Sequence, residues 1–300
     1  MNFTSNLVAM LSGAVSAMTP LLFAALGGLF TELTGMLNIA LEGMITLGAF
    51  FGVYGSALTG NLAAGIALGI AASTLVSWIY GEITLRLKAN EFITGLATNL
   101  LATGLTVILS QKLFNTKGVV AFNVAPLPVL TAALAKIPVV GPIFFGQNIL
   151  AQLSWLMAIL SWILIRKTPL GMRIRATGSN QKAIIALGLK PDHYKLVAIL
   201  FSGITCGLAG SYLSLNLSAY VPNISSGRGW IALVAIYLGG RKPSGILAAC
   251  FIFALAESFS NYAQGFLKIP SEFVLAIPYA ASLLALILGS LSKRRGDQWR

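Results

Sequence analysis

Charge is what this sequence has least of. Asp, Glu, Lys and Arg make up only 9% of its 300 residues, against roughly 25% in a soluble domain. Hydrophobic residues reach 57%, and mean hydropathy is +0.84. That scarcity excludes a soluble enzyme or binding module and leaves an integral membrane protein. The chain is long enough for one or two soluble domains. Apolar runs fill nearly all of it, however, so we read residues 1–300 as a single membrane domain.

Acid is scarcer than base, with eight acidic residues against 20 basic ones and a net charge of +12. The surplus does not mark a nucleic-acid partner. The cations sit at the ends of apolar runs and form no tail or arm, which suits anionic lipid headgroups instead. Histidine occurs once, and His193 has no ligand cluster around it, so no metal site is expected. The two cysteines, Cys206 and Cys250, lie inside apolar runs and read as small buried hydrophobes. No Gly-Lys dipeptide occurs, which excludes a phosphate loop and therefore ATP hydrolysis by this chain. No nucleophile and base pair is evident either, so the chain is not expected to be an enzyme. The first cation is Arg86, so a cleaved signal peptide is not expected before the first apolar run.

Crossing a bilayer takes about 20 apolar residues. Runs of that kind cover residues 7–30, 36–58, 62–80, 92–113, 149–165, 196–216, 230–240, 246–262 and 273–291. The expected fold is therefore an all-α polytopic bundle of about nine spans, within a range of eight to ten. The run at 230–240 is too short alone and is extended back towards Ser225.

The stretch 166–195 is the one long polar segment. It carries Arg166, Lys167, Arg173, Arg175, Lys182, Lys190 and Lys195 against the single acid Asp192. Placing it in the cytoplasm puts 15 of the 20 basic residues on that side. Lys112, Lys117, Lys136, Arg228 and Lys268 remain outside. The asymmetry follows the positive-inside rule, with the N-terminus outside and the C-terminus cytoplasmic. Residues 115–147 then form the longest external segment. Pro126, Pro128, Pro138 and Pro142 prevent a long helix there, and two readings stay open, a cap over the outer mouth and a plain connection.

Inside the polar segment the sequence spells a short helix. Ser179 or Asn180 supplies the N-cap, Gln181 to Leu187 favour helix, and Gly188 can end it in the left-handed conformation. Ala183, Ile184 and Leu187 share a face, while Pro191 is expected to hold off the next span. Two turns of helix are not stable alone in water. The apolar face must rest either on the membrane surface or in a groove of a cytoplasmic partner.

From Arg166 the sequence runs RKTPLGMRIRATGSNQKAIIALGLKPDHYKLVAILFSGITCGLAGSYLSL. It resembles the cytoplasmic coupling loop and following span of bacterial ABC importer permeases, in the branch that carries branched-chain amino acids, simple sugars and nucleosides. Two further blocks carry the same resemblance, TPLLFAALGGLFTELTGMLNIALEGMITLGAF and SGRGWIALVAIYLGGRKPSGILAACFIFALAES. The NIALEG string, with Asn38, Glu42 and Gly43, is most similar to nucleoside-type permeases.

The resemblance implies a multi-pass protein of the bacterial inner membrane whose solute route lies at a permease dimer interface. It implies a cytoplasmic ATP-binding subunit holding ATP and magnesium, a second and longer permease subunit, and an extracellular or periplasmic solute-binding protein. No cofactor is expected on this chain. Asn180, Gln181, Ala183, Ile184, Leu187 and Gly188 become the candidate contacts to the ATPase. The alanine-rich coupling signature of other importers is matched only by Ala183 and Gly188. Simple sugars, or another small polar solute, remain alternative cargoes. A stand-alone carrier using the membrane carboxylates is the other alternative.

Polar residues within the spans are the candidates for the route, because lipid tolerates them poorly. They are Asn38, Glu42, Asn99, Asn216 and Glu257, with Thr98 and Ser258 beside two of them. Asn38 and Glu42, one turn apart, either line the route or brace the break between the first two spans. Phe51, Phe92 and Phe253 are candidates for stacking on a base, against ordinary packing. The pairs Gly65/Gly69 and Gly203/Gly207 read as close helix contacts.

Overall fold

The computed structural model describes residues 3–123, 125–129 and 141–264. The expected run at 273–291, together with Glu272, Lys136, Lys268 and Pro138, lies outside the described residues. In chain order the elements are α1 (Phe3–Leu33), α2 (Leu41–Thr59), α3 (Leu62–Leu85), α4 (Glu91–Phe114), β1 (Val120–Ala121), a π-helical turn (Gly141–Phe145), α5 (Ile149–Lys167), α6 (Pro169–Ser179), α7 (Gln181–Ala186), α8 (Pro191–Leu217), β2 (Ala219–Tyr220), α9 (Arg228–Leu238) and α10 (Pro243–Gln264). Seven of the helices, α1 to α5, α8 and α10, are long and apolar enough to cross a membrane.

The seventh expected span is a half-length helix. With 11 residues, α9 spans only about 16 Å at 1.5 Å per residue. A hydrocarbon core is about 30 Å thick. The expected extension to Ser225 does not form, because Asn223 and Ser226 take left-handed backbone angles and Gly227 breaks the helix at φ 79°. Arg228, expected in an outer loop, instead opens α9 inside the bundle.

Asparagine sets several helix starts. Asn61, Asn90 and Asn148 cap α3, α4 and α5 with their side-chain oxygens, which serves backbone N–H groups that have no partner within the helix. Pro191, expected to delay the sixth run, begins α8 instead. Proline at the first helical position forfeits no hydrogen bond. Within α1, Pro20 cannot bond back to Ser16. The freed Ser16 carbonyl accepts the Tyr212 hydroxyl from α8 at 3.0 Å.

Helices α1, α2 and α8 form the enclosed centre, and α3 and α4 lie further out. Glycine permits the closest approaches. A Cβ on Gly207 would meet the Ile70 backbone at 2.6 Å, and one on Gly48 would meet Gly207 at 2.8 Å. The Gly65/Gly69 and Gly203/Gly207 pairs therefore form one seam where α2, α3 and α8 meet. Outside the membrane-spanning helices, β1 pairs with β2, Val120 opposite Tyr220, and ties the segment after α4 to the end of α8. Residues 124 and 130–140 of the segment expected outside the membrane fall beyond the described residues.

The seam makes a quantitative prediction. Gly207→Ala should lower stability by about 1–3 kcal/mol, the usual cost of overpacking. Gly104→Ala, whose Cβ meets nothing within 4 Å, should change it little. Thermal unfolding of the two variants in detergent compares them.

Candidate functional site

Two regions gather the expected residues. The first is the end of the bundle that carries α6 and α7. Sequence reading anticipated one short helix there, and the structure has two, with the ends of α5 and α8 absorbing much of the remaining polar segment. The signal for α6 was present as Thr168 followed by Pro169, an N-cap and a first-turn proline. Ile174 of α6 is fully buried. Gly178 sits against the backbone of Leu33, Thr34 and Gly35 with no room for a Cβ. Helix α6 thus rests directly on the junction between α1 and α2.

Asn180, rather than Ser179, caps α7, its oxygen accepting the Ala183 N–H at 3.1 Å. Gly188 turns left-handed at φ 74° and closes the helix end with Leu189 N–H to Ile184 C=O at 3.1 Å. The expected apolar stripe does not hold as one face. Ile184 is 2% exposed and anchors α7 to its own chain, whereas Leu187 is 73% exposed and Ile185 57%. Gln181 and Ala183 are exposed as well. The helix ends at Ala186, so Leu187 is the C-cap and leaves the stripe. Met172 of α6, 61% exposed, adds to the same apolar display.

The ends of α1 and α9 meet at the same level. Glu32 lies in the last turn of α1, and its carboxylate holds Arg241 at 2.7 Å and the Tyr237 hydroxyl at 3.0 Å. A cavity of about 570 Å³ opens between these groups, Glu91 and Arg175.

The second region lies deeper, where two helix breaks face one another. The first break, residues 34–40, is tied by polar side chains from the helices around it. Asn99 accepts from Gly43 N–H at 2.8 Å and donates to the Ile39 carbonyl at 2.9 Å. Asn38 donates to Ser202 at 2.8 Å and accepts from Ala40 N–H at 3.0 Å. Leu37 N–H reaches Glu91 at 3.0 Å. Helix α2 consequently begins at Leu41 rather than at residue 36.

Glu42 reaches the second break. One carboxylate oxygen accepts the Ser225 hydroxyl at 2.6 Å and Gly227 N–H at 2.7 Å. The other accepts Gly229 N–H at 2.7 Å. A negative group at the N-terminus of α9 satisfies unpaired N–H groups and meets the positive end of the helix dipole. A Cβ on Gly229 would overlap the backbone of Glu42, so this contact requires glycine. Asn38 and Glu42, grouped together in the sequence, bond to different elements.

The remaining candidates scatter. Asn216 accepts from Asn148 at 3.3 Å at the far end of α8. Glu257 of α10 pairs with Arg228 at 2.5 Å. Thr98 and Ser258 satisfy backbone carbonyls, those of Thr94 and Met10. Phe253 is 2% exposed in the core, Phe51 packs edge-on against Phe50, and Phe92 lies exposed at the start of α4. Cys206 and Cys250 are buried and free. Sequence reading missed Ser225, Gly227, Arg228 and Gly229. The available signal was a Ser-Gly-Arg-Gly string before a run too short to cross, which describes a half-helix whose N-terminus needs an anion.

Glu42 yields the test of this arrangement. Glu42→Gln should cost about 1–3 kcal/mol, because an amide N–H₂ would face N–H donors and leave one unpaired. Glu42→Ala should cost more than Glu42→Gln, measured as unfolding midpoints in detergent. Equal midpoints for wild type and both variants would contradict the bracing role.

Comparison with known proteins places this architecture. Residues 9–288 match the family model described as branched-chain amino acid transport system / permease component. The nucleoside ABC transporter permease protein NupC of Lactococcus lactis is 31% identical, covering 99% of this chain and 98% of that one. The guanosine ABC transporter permease protein NupQ of Bacillus subtilis is 32% identical, covering 89% and 87%. Among solved structures, PsaBC from Streptococcus pneumoniae in complex with Fab superposes with a TM-score of 0.52 at 12% identity, covering 91% of this chain and 89% of that one. The last likeness concerns the fold alone. Seven membrane-crossing helices, a half-helix and a family match over nearly the whole length lead to one conclusion: this chain is a multi-pass membrane protein of the ABC importer permease family, a permease component rather than an ATP-hydrolysing one.

Proposed function

We propose that this permease carries nucleosides into the cell, driven by a separate ATPase that grips α7. The observation that carries the proposal is the display on α7. Ile184 fixes the helix to its own bundle, while Ile185 and Leu187 stand out from it. A six-residue helix does not keep such residues in water without a partner to cover them. The occupant is the ATP-binding subunit, which holds the ATP and magnesium that this chain has no loop to bind. Asn180, Gln181, Ala183 and Gly188 set the shape of the contact, and Ile184 supports it from behind.

The orientation follows from charge. Arg86, Arg173, Arg175, Arg241 and Lys242 stand near the α6–α7 end, which suits the cytoplasm. The N-terminus is then external and the C-terminus cytoplasmic. Of the five cations assigned outside, Arg228 leaves that count, which sharpens the asymmetry. The nucleoside cargo rests on similarity to the nucleoside and guanosine permeases. A second permease subunit and a solute-binding protein complete the assembly.

The packing supports a mechanical route. A movement of α7 passes through α6, because Gly178 is wedged on the α1–α2 junction. From there Glu32 ties the end of α1 to Arg241 beyond the end of α9. The solute path opens and closes as these elements tilt. A stand-alone carrier is less well supported, since Glu42 is held by three donors and Glu257 by Arg228.

The test uses the complete transporter in membrane vesicles, with radiolabelled nucleosides and internal ATP. Uptake should need ATP and survive collapse of the proton gradient. Ile185→Asp with Leu187→Asp should abolish ATPase association while membrane insertion persists. Ile184→Asp should instead lower the stability of the permease itself. Nucleoside uptake by this chain alone in liposomes without ATP would overturn the proposal.

A further inference from the structure

Arg228 and Glu257 are the ion pair set deepest among the described residues, the other two lying at the end of the bundle that carries α6 and α7. Arg228 is ten residues before the end of α9, about 15 Å along its axis. Glu257 is 14 residues into α10, about 21 Å from its start. The two estimates place the pair inside a hydrocarbon layer about 30 Å thick, between half and about two-thirds of the way across.

The pair is not sealed. The side chains retain 18% and 30% of their exposure. Charged groups facing lipid at that depth cost at least about 2.5 kcal/mol each, so this opening faces water or protein. The guanidinium is also under-satisfied. Its Nε is buried without a partner among the described residues, and its Nη1 contacts to the Ile224 and Ser225 carbonyls are long, at 3.5 and 3.4 Å. The Arg228 Nη2 bond occupies Oε1 of Glu257. Asn261, one turn further along α10, and Asn223 and Ser226 before α9 are exposed polar neighbours in the chain. Glu42 holds the N-terminus of α9 in place, which fixes the position of Arg228.

The geometry points to the Arg228–Glu257 pair as the polar selector of the solute route. It contacts a neutral solute through adjacent groups, the guanidinium donating and the carboxylate accepting. This rests on the nucleoside reading above and assigns residues to it. The Glu257 carboxylate beside the guanidinium repels a phosphate that Arg228 alone would attract, whereas the couple matches a neutral solute that places a donor beside an acceptor. A nucleoside does so twice, in the ribose cis-diol and in the amide edge of a 6-oxopurine.

The experiment uses the assembled transporter with its binding protein, comparing guanosine, adenosine and 2′,3′-dideoxyguanosine uptake. Binding-protein affinities are measured separately, so that changes in ratio belong to the permease. Wild-type uptake checks the nucleoside reading by itself. No ATP-dependent nucleoside uptake there would remove that reading and this inference with it. In Glu257→Gln, one of the wild-type ratios should collapse by about tenfold, the size of one lost hydrogen bond of about 1.4 kcal/mol. Loss of the ribo-over-dideoxy preference assigns the pair to the diol. Loss of guanosine-over-adenosine preference assigns it to the base edge. Arg228→Lys, which keeps the charge but not the fork, repeats the test if Glu257→Gln lowers the unfolding midpoint. Unchanged ratios with a uniformly lower rate would make the pair structural and overturn the assignment. So would a charge-reversed Arg228→Glu/Glu257→Arg protein with wild-type rate and ratios.

Discussion

A hydrocarbon layer supplies no hydrogen bonds, so any backbone that leaves helical geometry inside it must find partners within the protein. The centre of this molecule is arranged around that constraint. Two breaks, one between α1 and α2 and one before α9, are brought face to face. The Glu42 carboxylate, at the first turn of α2, accepts three bonds from the second break. Asn99 and Asn38 close the first. With these bonds a helix can stop halfway across the membrane without stranding its N–H groups, and a charged pair can be held at that depth.

The same breaks connect the deep site to the surface. The α1–α2 junction is the point on which Gly178 of α6 rests, and Glu32 joins it to the far end of α9 through Arg241. Close glycine contacts between α2, α3 and α8 keep that centre stiff, because close-packed interiors transmit displacement rather than absorb it. The short helix at the surface and the half-helix in the membrane are thus two ends of one continuous set of contacts. The proposed transport cycle uses that continuity.

Much of the fold was legible in the chain. Seven spans among the described residues followed from apolar run length, and the bounds of α7 from the Asn180 cap and Gly188. Those signals are local, since a cap and the N–H it serves lie within three residues. The site was legible in composition but not in pairing. Glu42, Asn38, Asn99 and Glu257 stood out because polar groups are rare in these runs. Their partners did not, and Asn38 and Glu42, four residues apart in the sequence, serve different breaks. The face of α7 was misjudged for a related reason, because the same helix presents apolar side chains both to its own bundle and outward.

What the sequence by itself determined was the medium, the family of the fold and the place of the polar segment that carries the short helices α6 and α7. Hydrophobic run length and charge asymmetry are sums over many residues, and such sums survive without coordinates. Only the tertiary structure decided that Glu42 meets Ser225 at a separation of 183 residues, and that Arg228 meets Glu257 inside the bundle rather than outside it. A carboxylate announces that it needs a donor, but nothing in its own neighbourhood names which distant backbone will supply one.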